Sequence, residues 1–228
     1  MIISHKHKFI FVKTKKTAGT SVEIALSKIC GDDDIITPIS KKDEKARIAF
    51  ANRSAQNYLL SPIKYNKLDI ATSIYKAKPA RFYNHIRCRE IRRYVSDDIW
   101  NNYYKFSIDR NPFDQVVSLY YYRGGDEKYN GIYEFLVNGG LKKFTNYDIY
   151  SIDGVVAVDK VYTYENLGDL CTDLTQKLNL DDPLEMPSYR AKSKIRKVND
   201  YKDVLDQKTI DLIKVIFARE IALLGYEY

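Results

Sequence analysis

The strongest constraint on how this 228-residue chain folds is an order of parts that occurs twice. In "FIFVKTKKTAGTSVEIAL", residues 9–26, an apolar run of strand character gives way to lysines, then to small and hydroxyl residues, and then to apolar residues at helical spacing. The stretch "KFSIDRNPFDQVVSLYYY", residues 105–122, repeats strand, polar turn and helix. A chain that leaves a strand by a tight turn and re-enters as a helix has unpaired backbone N–H groups at the positive end of the helix dipole. Such a place is suited to an anion.

Strand-like runs rich in β-branched and aromatic residues fall at 9–13, 35–39, 105–109 and 155–164. Helical spacing marks 20–29, 90–103, 112–122, 167–178 and 207–224. Strands alternating with helices predict an α/β fold, a single domain over 1–228 with a central parallel β-sheet flanked by helices. Residues 40–79, with "SKKDEKAR" and scattered Asn, Ser and Pro, have the weakest periodicity and are expected to form an inserted, partly helical segment on the acceptor side or acting as a lid.

With 45% hydrophobic residues the chain can bury one sizeable core. Its net charge of +7 favours an acidic partner, whether nucleic acid, an anionic membrane face, a polyanionic glycan or a phosphorylated cofactor. Cys30, Cys88 and Cys171 are far apart and form no CxxC pair, so reduced thiols are expected rather than disulfides or a zinc ribbon. Nothing resembles a secretory leader, and no apolar run reaches the ~18 residues of a membrane span. The expected location is cytoplasmic.

A nucleoside-triphosphate loop of the form G-x-x-x-x-G-K-[ST] would place its lysine after the second glycine. Here Lys16 comes first, followed by Thr17, Ala18, Gly19, Thr20 and Ser21. The competing structural explanation is an ordinary turn with Thr17 or Thr20 as N-cap. In the second segment Asn111, Pro112 and Asp114 make a good helix start by local rules. Those rules leave out Arg110, a cation placed where the dipole disfavours it. An anion held by Arg110 and the helix together removes the conflict, and a guanidinium suits a phosphate.

Taken together, "VKTKKTAGTS" and "RNPFDQVVSLYYY" resemble the two cofactor-binding signatures of the sulfotransferase superfamily, whose donor is 3′-phosphoadenosine 5′-phosphosulfate (PAPS). "FYNHIRCREIRRYV", "VYTYENLGDLCTDLTQKLNL" and "LIKVIFAREIALLGYEY" resemble further segments of its carbohydrate sulfotransferase branch. The resemblance implies that Lys16, Thr17, Ala18, Gly19, Thr20 and Ser21 cradle the 5′-phosphosulfate in a P-loop-like strand-turn-helix. It implies that Arg110 and Ser118 bind the 3′-phosphate. The chain departs from the pattern in pairing Gly19 with a second lysine, Lys15.

His85, in "YNHIR", is either a hydrogen-bonded structural histidine or, as the resemblance implies, the general base that takes the acceptor's proton. Glu90 is the reserve candidate. His5 and His7 are two of the ligands a metal would need, with no third in view, so no metal site is assigned. "YRAKSKIRK" carries Arg190, Lys192, Lys194, Arg196 and Lys197. It is either a solvated charged loop or, by the same resemblance, a loop that closes over the nucleotide, with Arg190 touching the cofactor. Of the 20 tyrosines, most are expected in core and rim packing.

The expected function is that of a sulfotransferase carrying a sulfuryl group from PAPS to a hydroxyl, in the resemblance's terms on a carbohydrate. Lys16 would neutralise the departing phosphate oxygen and His85 would accept the proton, with no obvious need for Mg²⁺. The alternatives are a P-loop-type kinase, which lacks its Gly-Lys-Ser/Thr, and a basic nucleic-acid-binding protein, for which no motif is present.

Overall fold

In the computed structural model, residues 1–142, 144–188 and 200–228 are described. The strands are β1 (Ile2–Ser4), β2 (Phe9–Val12), β3 (Ile35–Ile36), β4 (Tyr104–Asp109), β5 (Ser151–Ile152), β6 (Val155–Val156) and β7 (Lys160–Thr163). The helices are α1 (Gly19–Ser27), α2 (Lys41–Ala51), α3 (Lys67–Lys76), α4 (Cys88–Tyr94), α5 (Asp97–Asn102), α6 (Pro112–Tyr122), α7 (Gly125–Lys128), α8 (Ile132–Val137), α9 (Tyr147–Tyr150), α10 (Leu167–Lys177), α11 (Gln207–Ile216) and α12 (Ala218–Leu224).

Among the described residues the main sheet runs β3-β1-β2-β4-β7, flanked by helices in a single α/β domain. The expectation of a parallel sheet needs correction, because the sheet is mixed. β2, β4 and β7 are parallel, but β1 is antiparallel to both its neighbours. The reason is the four-residue return from Ser4 to Phe9, which allows only a hairpin, whereas parallel neighbours need a long crossover.

Every residue of β2 is buried, as a strand covered on both faces should be. Ile10 and Val12 join Ile3, Ile86 and Ile91 on one face. Phe9 and Phe11 join Val22, Phe106 and Leu170 on the other, with Phe11 stacked on Phe106 at 5.3 Å between ring centroids. A third cluster lies between α6, α8 and α11, around Phe113, Phe135 and Ile213. Cys30 and Cys88 are buried and Cys171 is half-buried, and all three are free thiols.

Several runs that read as one element are two. Residues 90–103 split because Ser96 caps α5, its side chain accepting from the Ile99 N–H. Residues 207–224 split at Phe217, whose ring is drawn into the third cluster. The run 155–164 divides between β6, in a ribbon with β5, and β7 in the main sheet.

Residues 40–79 contain α2 and α3, and α2 is tied to the core by charge. Arg47 of α2, fully buried, lies 3.2 Å from Glu23 Oε1 of α1. The same carboxylate takes Lys13 Nζ at 2.6 Å and the Met1 amine at 2.9 Å. Thr37 Oγ1 donates to it as well, at 3.1 Å. Burial opposes ionisation of Glu23, but the charges of Lys13, the Met1 amine and Arg47 outweigh it and hold the carboxyl at about 2. Glu23→Gln strands Lys13 and Arg47 in the core and should lower stability by about 3–5 kcal/mol, read as a lower urea midpoint at unchanged slope.

Candidate functional site

The turn between β2 and α1 is built without a side-chain cap. Thr14 Oγ1 donates to the Ile108 carbonyl of β4 and sits 2.8 Å from Thr17 Oγ1. The hydroxyl of Thr17 is therefore spent inside the turn, and neither Thr17 nor Thr20 is the N-cap. That position falls to Ala18, at φ 52°, with no side-chain hydrogen bond and no acidic residue in the first turn of α1. Lys16 is left-handed too, at φ 63°. Two non-glycine residues in this region within one turn are a cost that folds accept mainly at functional sites. Gly19 is required by close approach, since a Cβ there would lie 2.9 Å from Lys13 Cγ.

Asn146 clamps this turn from far along the chain. Its Oδ1 accepts the Lys15 N–H and its Nδ2 donates to the Lys15 carbonyl, both at 2.9 Å. Asn146 also donates to Asp109 at the end of β4, which Gln115, Tyr150 and the Arg110 N–H satisfy further. The two strand ends thus share one hydrogen-bond network.

The β4–α6 junction follows the local rules: Asn111 caps, accepting the Phe113 N–H at 3.0 Å, with Pro112 at the first helical position. Arg110, however, does have a local explanation. Its Nε donates to Asp114 Oδ2 at 2.7 Å, its Nη2 pairs with the same carboxylate, and the guanidinium lies over Tyr164 at 4.2 Å. One helical turn brings Asp114 back to the residue before the helix. Arg110 Nη1 also donates to the Lys16 carbonyl at 3.2 Å, joining segments 94 residues apart.

Both segments line one cleft of ≈ 1200 Å³. Lys13 through Ser21, Arg110 and Ser118 all face it, as does His85. Arg123, Tyr164, Phe144, Asp43 and Glu165 complete much of the wall without any local signal in the sequence that marks them, and Tyr122 joins them. Tyr122 is the last of three consecutive tyrosines, 120–122. The Lys16 ammonium lies 4.0 Å from the centre of its ring.

His85 is left-handed at φ 61°, and its Nδ1 lies 3.1 Å from the Lys13 carbonyl. A carbonyl only accepts, so Nδ1 carries the hydrogen and the neutral ring keeps its lone pair on Nε2. Burial, then the charge of Lys13, lowers the imidazole from 6.5 to about 3. Glu90 is not brought to the cleft: its carboxylate accepts from Tyr83 Oη at 2.7 Å and from the Arg87 N–H. Arg190 and the basic cluster 190–197 lie outside the described residues. His5 and His7 are held in the β1–β2 turn by Tyr103 and the Ile29 carbonyl, and no cluster of metal-binding residues occurs among the described residues.

The arrangement combines an uncapped helix start, several cations and a neutral imidazole facing one cleft, which suits an anion beside a group that must lose a proton. The depressed pKa has a definite sign in stability. Between about 6.5 and 3 the unfolded chain binds a proton at His85 that the folded chain refuses, so the stabilisation is complete above 6.5 and lost as pH falls toward 3. In His85→Gln the stability difference from the parent should therefore shrink across that window. By NMR the His85 ring should show no titration near 6.5. A polyanion in the cleft should raise its pKa by offsetting Lys13 and Lys15.

No family model and no solved structure matches the chain. It is 30% identical over 101 residues to an uncharacterized protein of Archaeoglobus fulgidus, an alignment covering 42% of this chain and 84% of the other. That likeness, over most of the archaeal protein's length, places the two chains in one family.

Proposed function

We propose that this chain is a sulfotransferase, moving a sulfuryl group from PAPS to a hydroxyl, on a carbohydrate acceptor. The observation that carries this reading is the meeting of the two anion-facing segments, Lys16 to Ser21 and Arg110 to Ser118, in one cleft at the carboxyl ends of the parallel strands β2 and β4.

The residues present fit the donor. The uncapped start of α1 and the lysines before it suit a 5′-phosphosulfate as an anion-binding strand-turn-helix. Among the described residues Arg110 spends Nε and one hydrogen each of Nη1 and Nη2 on Asp114 and Lys16, which leaves two N–H groups for a 3′-phosphate near Ser118. The donor supplies a sulfuryl group whose S–O bond to phosphate breaks as one to the acceptor oxygen forms. Lys16, lifted from Tyr122, neutralises the oxygen that departs, and His85 Nε2, its pKa brought up from about 3 by the negative charge of the donor, receives the acceptor proton. Tyr122, 44% exposed, offers a ring face on which a sugar can stack.

A thermal-shift panel of 3′-phosphoadenosine 5′-phosphate against ADP, ATP and AMP tests the donor. The first should stabilise most, and Arg110→Ala should erase its advantage over ADP, about 2–5 kcal/mol for a truncated buried charge partner. Asp114→Asn, which releases Arg110 without removing it, should keep that advantage. Equal stabilisation by ADP and 3′-phosphoadenosine 5′-phosphate in the parent protein defeats the assignment.

Lys16→Ala should lower turnover by about 10²- to 10³-fold, the scale of one lost charge-stabilising donor. Nucleotide affinity should fall far less, and equal losses would make Lys16 a binding residue only.

A further inference from the structure

Helix α3 packs on the domain with its polar side inward. Its capping residue Asn66, together with Asp69 and Ser73, is half-buried, and Asp69 Oδ1 accepts from Tyr94 Oη at 2.8 Å. No residue of α3 is buried. At about 100° per residue, Ile70, Ile74, Ala71, Tyr75 and Leu68 form an arc of about 160° centred opposite Asp69, with Lys67 of the first turn the one charged residue within it. Leu68 is 72% exposed, Ile74 77% and Tyr75 90%, and Ile63 in the preceding turn Pro62–Lys64 is 90% exposed. A helix that hides its polar line and shows its apolar arc is the reverse of what a soluble surface requires.

The charges around the arc identify what covers it. Over residues 59–81 there are five cations, Lys64, Lys67, Lys76, Lys78 and Arg81, against the one carboxylate of Asp69. Lys64 donates to the Tyr94 carbonyl and Lys76 falls beside Asp69 on the inward side, but Lys67 lies within the arc and Lys78 and Arg81 are exposed after the helix. Exposed apolar residues and a tyrosine beside these cations match the boundary between acyl chains and anionic headgroups. A second copy of this chain would set the same cations face to face. The arc is also convex, which a bilayer accepts without a matching groove. No helix of the described residues is long and apolar enough to cross a membrane, so the contact is one of lying on the surface.

We propose that α3 and the turn before it dock this protein on an anionic membrane surface. None of their residues lines the cleft, so the proposal stands whatever the cleft binds.

The test is flotation of the full chain with vesicles of phosphatidylcholine alone and of phosphatidylcholine mixed with phosphatidylserine. The protein should float with the mixed vesicles only, less as salt is raised. Ile74→Ser combined with Tyr75→Ser should weaken that binding by about tenfold or more. Lys67→Glu with Lys78→Glu should abolish the preference for phosphatidylserine. The outward side chains hold nothing in the core, so both variants should melt as the parent does, which separates lost docking from lost folding. Failure of the parent to bind mixed vesicles overturns the proposal and leaves the arc to a protein partner. Undiminished binding by the Ile74/Tyr75 variant overturns it too. So does a concentration-dependent dimer, seen by sedimentation, that this variant loses.

Discussion

The carboxylate of Glu23 is the point on which the rest of the structure depends. It sits in α1, fully buried, and gathers Lys13 from the end of β2, Arg47 from α2 and the amine at the start of β1. Ions taken out of water are costly unless each has its partner, so these elements can meet only in an arrangement that brings the charges together. Lys13 then passes the constraint on to the cleft. Its stem packs against Gly19, which admits no larger residue, and its carbonyl orients His85. A charge cluster behind the cleft thus sets where α1 begins and which nitrogen of the imidazole keeps a lone pair.

The cations in the wall of the cleft are held rather than loose. Arg110 lies between Asp114 and Tyr164, Lys16 rests on Tyr122, and Lys13 is paired with Glu23. Side chains fixed in this way lose little further freedom when a ligand arrives, which is how preorganised charge becomes effective. The Asp114 carboxylate keeps the Arg110 guanidinium aimed, and on the proposed reading a phosphate would have to share Arg110 with it.

Much of this was legible in the chain because it is local. The β2 run, the start of α6 at Asn111 and Pro112, and the helices over 20–29 and 167–178 follow from periodicity and capping within a few residues. Arg110 is local too, since Asp114, the third residue of the helix start, stands one turn away and pairs with it. Helix α3 resisted reading for a different reason. Its apolar residues face outward, so the pattern that normally marks a core marked none.

The sequence by itself determined that strands alternate with helices, that two strand-turn-helix units carry cations at their turns, and that the chain is basic. Each is a property of neighbouring residues or of a sum over all of them. Tertiary structure alone decided that both turns open into one cleft and that Asn146 grips Lys15 across 131 residues. It also decided that β1 runs against its neighbours and that His85 is held neutral. These depend on strand order and on exclusion from water. Neither is encoded within a few positions, because burial and long-range hydrogen bonds exist only once the sheet has brought distant segments side by side.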